Sequence, residues 1–372
     1  MTARYRVILV CTTLSIALPA SAVAGQASPT PPPAGAKWQV EVHGGGLAGG
    51  TKPTGHGIDQ FPVGAALTPG GGGRGGNSST RSVSSWYFGD GPVVLNSALG
   101  FFGSGTRMTP MDEALQRGII GSRATGTIGA RVSRQVTRRL SAEVDVTYVP
   151  SALEVTTDAR AAIDATVASF TPAWNAMLAT GQTSNRTVSS SVATDDGSNA
   201  QTRLTAGVRL DLTPRGHLQP YVVAGAGAVM NHGTPPQAVL TGRYRFDFAG
   251  VFPMDETDVV TIRAVTRTTP VVTVGGGAFL GKSPRRGLKV DVRIHAGPSG
   301  ADTVVDAKPN VLQGSPAFSI FTGGDPGVQF SNNPSATGRQ SSLSATTDGL
   351  KTLTDDGWKA RVHFSVGYLF RF

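Results

Sequence analysis

The chain has 372 residues, 39% of them hydrophobic, with 49 Gly, 24 Pro and a formal charge of +9. This composition favours turns and strands over a helical core, and a single cysteine, Cys11, excludes a disulfide framework. The positive excess suits contact with anionic lipid or polysaccharide, and its scatter along the chain argues against nucleic acid as a partner.

Residues 1–24 read as a signal peptide: Arg4 and Arg6, an apolar run from Val7 to Leu18, then Ala20-Ser21-Ala22 or Ala22-Val23-Ala24 ahead of a cleavage point. Cys11 lies inside that run without the small residue that a lipoprotein signal needs before its cysteine. Cleavage would remove the only thiol and two positive charges. Residues 25–37 form a Pro-rich, extended lead. No other segment has the roughly eighteen consecutive apolar residues of a membrane helix. A mature chain that spans a membrane must therefore do so as a closed barrel, because hydrocarbon offers no partner to an open strand edge.

Strict alternation marks the strands. Trp38, Val40 and Val42 alternate with Gln39, Glu41 and His43, which predicts a first strand. Residues 46–123 are rich in Gly, Ser, Thr and Pro and read as a long loop. Ala124 to Arg134 and Leu140 to Tyr148 alternate across the polar turn Thr137-Arg138-Arg139, predicting a hairpin. The loop at 149–200 holds one helical pattern, Ile163, Val167, Phe170, Trp174 and Leu178, with Thr171-Pro172 expected to cap and restart the helix. Its apolar face is expected to pack on the rim of the barrel, with docking on a ligand or the bilayer surface as the alternative.

A second hairpin runs from Arg203 to Leu212, through Thr213-Pro214-Arg215-Gly216-His217, to Leu218–Met230. The connection at 231–269 contains two alternating runs, 239–248 and 259–268, read as an exposed hairpin, with a ten-stranded barrel as the alternative. A third hairpin joins Val271–Leu280 to Leu288–Gly297, and a last loop at 298–357 leads to the final strand. In that strand Trp358, Ala360, Val362, Phe364, Val366, Tyr368, Phe370 and Phe372 alternate with Lys359, Arg361, His363, Ser365, Gly367, Leu369 and Arg371.

The barrel thus occupies 38–372, with short turns and long loops strictly alternating and both strand ends on the short-turn side. That alternation, and a C-terminal strand ending on an aromatic residue, resemble the small bacterial outer-membrane barrels that include the OmpA transmembrane domain and OmpX. The resemblance implies an all-β, eight-stranded antiparallel up-and-down transmembrane barrel in the outer membrane. It further implies contact with membrane lipid and lipopolysaccharide, and an assembly signal at Tyr368, Phe370 and Phe372 read by the barrel-assembly machinery.

With apolar side chains outside, the lumen receives Glu41, Glu143, Asp145, Asp211 and Asp291 together with Arg131, Arg203, Arg209, Lys289, Arg293, Lys359 and Arg361. Mixed signs in a narrow barrel predict a network of neutralising pairs and a filled interior. The expected role is non-enzymatic: a barrel that anchors surface loops for structural or binding duties. A narrow solute channel is one alternative. A lipid-modifying enzyme is another, since His363 and Ser365 share a strand face, although a lumen-facing pair suits a structural role better. No metal-ligand cluster, phosphate-binding loop or cofactor motif is present, so no cofactor or metal is expected.

Overall fold

A computed structural model describes residues 38–50, 56–57, 61, 82–91, 108–116, 118–180, 183–213, 218–248, 250, 252–280, 285–308, 328–329, 331–332, 340–341, 343 and 346–372. The signal peptide, the Pro-rich lead and the tips of two short turns lie outside the described residues.

In chain order the long strands are β1 (Trp38–Ala48), β2 (Thr125–Gln135), β3 (Leu140–Pro150), β4 (Thr183–Asp195), β5 (Ala200–Asp211), β6 (Leu218–His232), β7 (Gln237–Phe248), β8 (Phe252–Thr266), β9 (Thr269–Leu280), β10 (Arg286–Pro298), β11 (Ala301–Ala307), β12 (Thr347–Thr354) and β13 (Trp358–Arg371). Among the described residues two α-helices intervene, α1 (Asp112–Gln116) and α2 (Thr157–Thr180), with a 3-10 turn at Trp86–Phe88. Among the described residues no helix is long and apolar enough to cross a membrane.

Eight strands close a barrel in the ring order β1-β13-β10-β9-β6-β5-β3-β2, each pair antiparallel. The seam joins the first strand to the last, pairing Val42 with Tyr368 and Glu41 with Leu369, and Trp38 and Phe372 exchange backbone hydrogen bonds at its end. Closure leaves no barrel strand with an unpaired edge. The pleat then sorts the side chains: Val42, Ile128, Val208, Val274, Ile294, Val362 and Phe364 point outward and are exposed, whereas Glu41, Arg131, Lys289, Arg361 and His363 are buried inside. An apolar wall around an ionic interior is the inverse of a water-soluble barrel.

The long connections, read as loops apart from one helix and one exposed hairpin, build a second structure at one end of the barrel. Residues 56–57, β12, β11, β8, β7 and β4 form a six-stranded sheet in that order, here called the crown. The runs around 239–248 and 259–268 are a hairpin of this sheet, β7 paired with β8, so the ten-stranded barrel is excluded. The first long connection also starts later than expected, since β1 continues to Ala48.

Two expectations about α2 are corrected. The helix is continuous from Thr157 to Thr180 with Pro172 inside it, rather than restarting at Thr171-Pro172. Pro172 and Ala168, whose carbonyl loses its helical partner, both lie on the exposed face, where water can serve that carbonyl. The apolar face is not on the barrel rim either: Ile163, Val167, Phe170, Trp174 and Leu178 enter the crown's core with Leu240, Tyr244, Phe246, Val260 and Ile262. The fit is close enough that a Cβ at Gly242 would lie 2.2 Å from the Phe170 ring, so this strand position must be glycine for the helix to sit down.

Candidate functional site: the barrel lumen and its mouth

The lumen is layered. At the short-turn end, Tyr221 and Phe279 pack with ring centroids 5.2 Å apart and form a small buried cluster with Leu369. The Arg209 guanidinium lies 4.8 Å from the Phe279 centroid, a favourable cation–π placement. It also donates to Asp211 at 3.0 Å, Gln39 at 3.1 Å and Ser141 at 3.2 Å. Asp211 is the least buried of the predicted lumen carboxylates, with its side chain 16% exposed.

Above this plug lies the ion network. Arg131 reaches Asp145 at 2.6 Å, Asp291 at 2.8 Å and Glu41 at 3.1 Å. Lys289 bonds Glu41 at 2.9 Å, and Arg293 bonds Glu143 at 2.7 Å and Asp291 at 2.9 Å. The seven side chains come from four strands, β1, β2, β3 and β10, and all are buried. Desolvating so many charges is costly, and the cost is met only because each one touches an opposite charge. Gly367 makes the room, since a Cβ there would lie 2.4 Å from Glu41 Oε1.

A histidine layer follows. His43 and His295 flank His363 with ring centroids 6.0 and 5.7 Å away, His363 Nε2 is 2.9 Å from Thr127 Oγ1, and His295 Nδ1 is 2.9 Å from Thr273 Oγ1. Among the described residues no group of three or more His, Cys, Asp or Glu is arranged to hold a metal ion. His363 and Ser365 are not brought together: the histidine bonds Thr127, and Ser365 Oγ is buried without a hydrogen-bond partner among the described residues. A nucleophile activated by a base needs that contact.

At the crown end the lumen opens into a small cavity continuous with solvent, lined by Arg203, His295, Lys359, Arg361 and Gln201 together with Val229 and Val271. Lys359 is paired with Asp355. Arg361 donates to the Arg123 carbonyl at 2.8 Å and is 3.4 Å from Gln201 Oε1. Arg203 is buried. Every charged residue expected in the lumen is thus inside the barrel, but in three places: Arg209 and Asp211 in the plug, Arg203, Lys359 and Arg361 at the mouth, and the remainder in the network.

Sequence reasoning missed the crown's own core. Trp86, Tyr87 and Phe88, in a stretch read as loop, are fully buried. Trp174 stacks on Tyr244 at 4.0 Å and meets Trp86 edge-on at 4.7 Å, while Trp86 Nε1 donates to Tyr244 Oη at 3.0 Å. Asp258 Oδ2 accepts from the Trp86 backbone N–H at 2.8 Å and from the Ser85 hydroxyl at 3.0 Å. Three consecutive aromatics amid Gly and Ser were the available signal.

No family model and no curated protein matches the chain. Among solved structures, it aligns with Neisserial surface protein A at 8% identity and a TM-score of 0.30, over 90% of this chain and 97% of that one. OprG from Pseudomonas aeruginosa aligns at 9% identity and 0.35, over 91% and 97%, and the outer-membrane protease OmpT from Escherichia coli at 7% and 0.31, over 90% and 97%. At identities and scores this low, the fold rests on the strand pairing itself.

Proposed function

We propose that this chain is a non-enzymatic protein of the bacterial outer membrane, in which the barrel is an anchor and the crown is the working part, presented at the cell surface for structural or binding duties. The observation that carries this reading is the inversion of the barrel: a ring of exposed Val, Ile, Leu and Phe around a lumen of paired charges. Such a wall is stable against acyl chains and costly against water.

A signal peptide would deliver the chain to the envelope. Tyr368 and Phe370, in edge contact at 5.0 Å on the outer face, and Phe372 would then serve as the signal to the barrel-assembly machinery. Membrane lipid and lipopolysaccharide are the expected surroundings of the belt. The reading against a conduit rests on the plug and the ion network, which occupy the lumen with side chains.

Protease treatment of intact cells, combined with gel migration of heated and unheated protein, tests the proposal. Expected are cleavage in the crown's connections from outside, and a barrel that migrates faster until boiled. A chain that is soluble without detergent, or a crown shielded in intact cells but cut after the envelope is opened, would overturn it.

A further inference from the structure

We infer that the mouth of the barrel is a binding site for a small oxyanion, a phosphate or carboxylate group, held between the guanidinium groups of Arg203 and Arg361. The inference goes beyond the anchoring role and does not depend on what the crown contacts. It starts from an imbalance. Of the cations buried in the lumen, Arg131, Arg209, Lys289, Arg293 and Lys359 each reach a carboxylate within 4.0 Å. Arg203 and Arg361 reach none among the described residues, although they are only 4% and 7% exposed.

Their remaining hydrogen-bonding capacity is also open. Arg203 Nε and Arg361 Nε are buried with no partner among the described residues, and Arg361 spends its other nitrogens on the Arg123 carbonyl and Gln201. An uncompensated buried charge is expensive enough that proteins seldom keep one. Here both guanidiniums line the same solvent-connected cavity, so a counter-ion can enter where no protein carboxylate stands. A planar guanidinium matches an oxyanion with paired N–H donors. Lys359 adds positive potential from the wall even though Asp355 holds it. Val229, Pro270 and Val271 give the cavity an apolar side, which admits a small organic substituent on the anion.

The oxyanion could arrive as a free solute or as the phosphate of a lipid headgroup. The test is calorimetric titration of the full mature chain, folded in a non-ionic detergent at low salt, with inorganic phosphate and with chloride as the control. Expected is saturable phosphate binding that weakens roughly tenfold or more in the Arg203→Gln/Arg361→Gln variant and is partly kept in Arg203→Lys/Arg361→Lys, with heat-dependent gel migration showing that both barrels fold. Phosphate should also raise the melting temperature of the unaltered protein more than chloride of equal ionic strength does.

In a second arm, diphosphoryl lipid A is added and compared with its dephosphorylated form. Competition with phosphate by the first alone supports the site with a lipid-borne occupant, and no competition supports it with a soluble one. If neither phosphate nor diphosphoryl lipid A binds saturably, or if the Gln variant folds and binds as well as the parent, the inference is overturned. Should the Gln variant not fold, the absence of a phosphate-specific rise in melting temperature overturns it.

Discussion

Arg131 and Asp291, 160 residues apart in sequence and on strands that are not neighbours in the ring, meet at 2.8 Å inside the barrel. The contact is one spoke of a hub, because the same guanidinium also holds Glu41 and Asp145. A ring of hydrogen-bonded strands fixes the circumference of a barrel; spokes of this kind fix its cross-section.

Arg131→Met should therefore destabilise the barrel by about 3–5 kcal/mol, the usual cost of stranding buried charges by removing one partner. The stranded groups would be Glu41, Asp145 and Asp291: the first and last keep Lys289 and Arg293, and Asp145 keeps the Thr147 hydroxyl and a contact with His43. Urea unfolding of the detergent-folded protein measures this as a lower midpoint. An unchanged midpoint would mean that the hub contributes nothing to stability.

Phe364 stands at the middle of β13 on the outward face and is 49% exposed. If that face meets acyl chains, Phe364→Arg should cost about 2–4 kcal/mol for protein folded into lipid vesicles, as a charge near the bilayer midplane does. The neighbouring Arg361 already sits inside, so the two positions report opposite sides of one strand. A Phe364→Arg variant that folds into vesicles with unchanged stability would show that this face is not in contact with hydrocarbon.

How much of this was legible before the structure depends on how each strand divides its two faces between environments. The barrel strands face apolar surroundings on one side and a packed ionic lumen on the other, so Leu140–Pro150 alternates without a break and was readable. The crown strands obey other rules. β4, TSNRTVSSSVATD, is an edge strand that is polar but for Val188 and Val192, which touch the core four residues apart, and β11, ADTVVDA, is buried along nearly its whole length. Neither shows a period of two, so both passed for loop. The lumen residues followed from parity alone, but parity could not separate the paired Arg293 from the unpaired Arg203, since that difference is set by which strands lie across the barrel.

The crown should respond to pH through Asp258. Burial pushes its carboxyl up to about 7 from an ordinary 3.8, against the lowering effect of its hydrogen bonds from Trp86 and Ser85. The folded crown thus binds this proton more tightly than the unfolded chain does. The stability it contributes is complete below about 4 and is lost as the pH rises through about 7. Asp255, held low by its hydrogen bond from Arg243, acts in the opposite sense and only in acid. Melting followed by near-ultraviolet dichroism of the buried tryptophans should show a crown more stable at pH 5 than at pH 8, and Asp258→Asn should flatten the difference. A parent protein equally stable at both values would contradict the assignment.

Passage through the barrel is opposed at every layer of the lumen. An ion entering at the mouth meets Arg203 and Arg361, then the histidine layer, then the fully buried network of Arg131, Lys289 and Asp291, and finally the Tyr221–Phe279 pair. Conduction would require several of these bonds to open together, and each stranded charge carries the cost that opposes Arg131→Met. Planar-bilayer recordings of the purified protein should therefore show no unitary current steps across a range of voltages. Tyr221→Ala should not open a path on its own either, because the ion network stands above it. Stable, ohmic steps from the unaltered protein would mean that the lumen side chains rearrange into a pore, and would favour the conduit over the anchor.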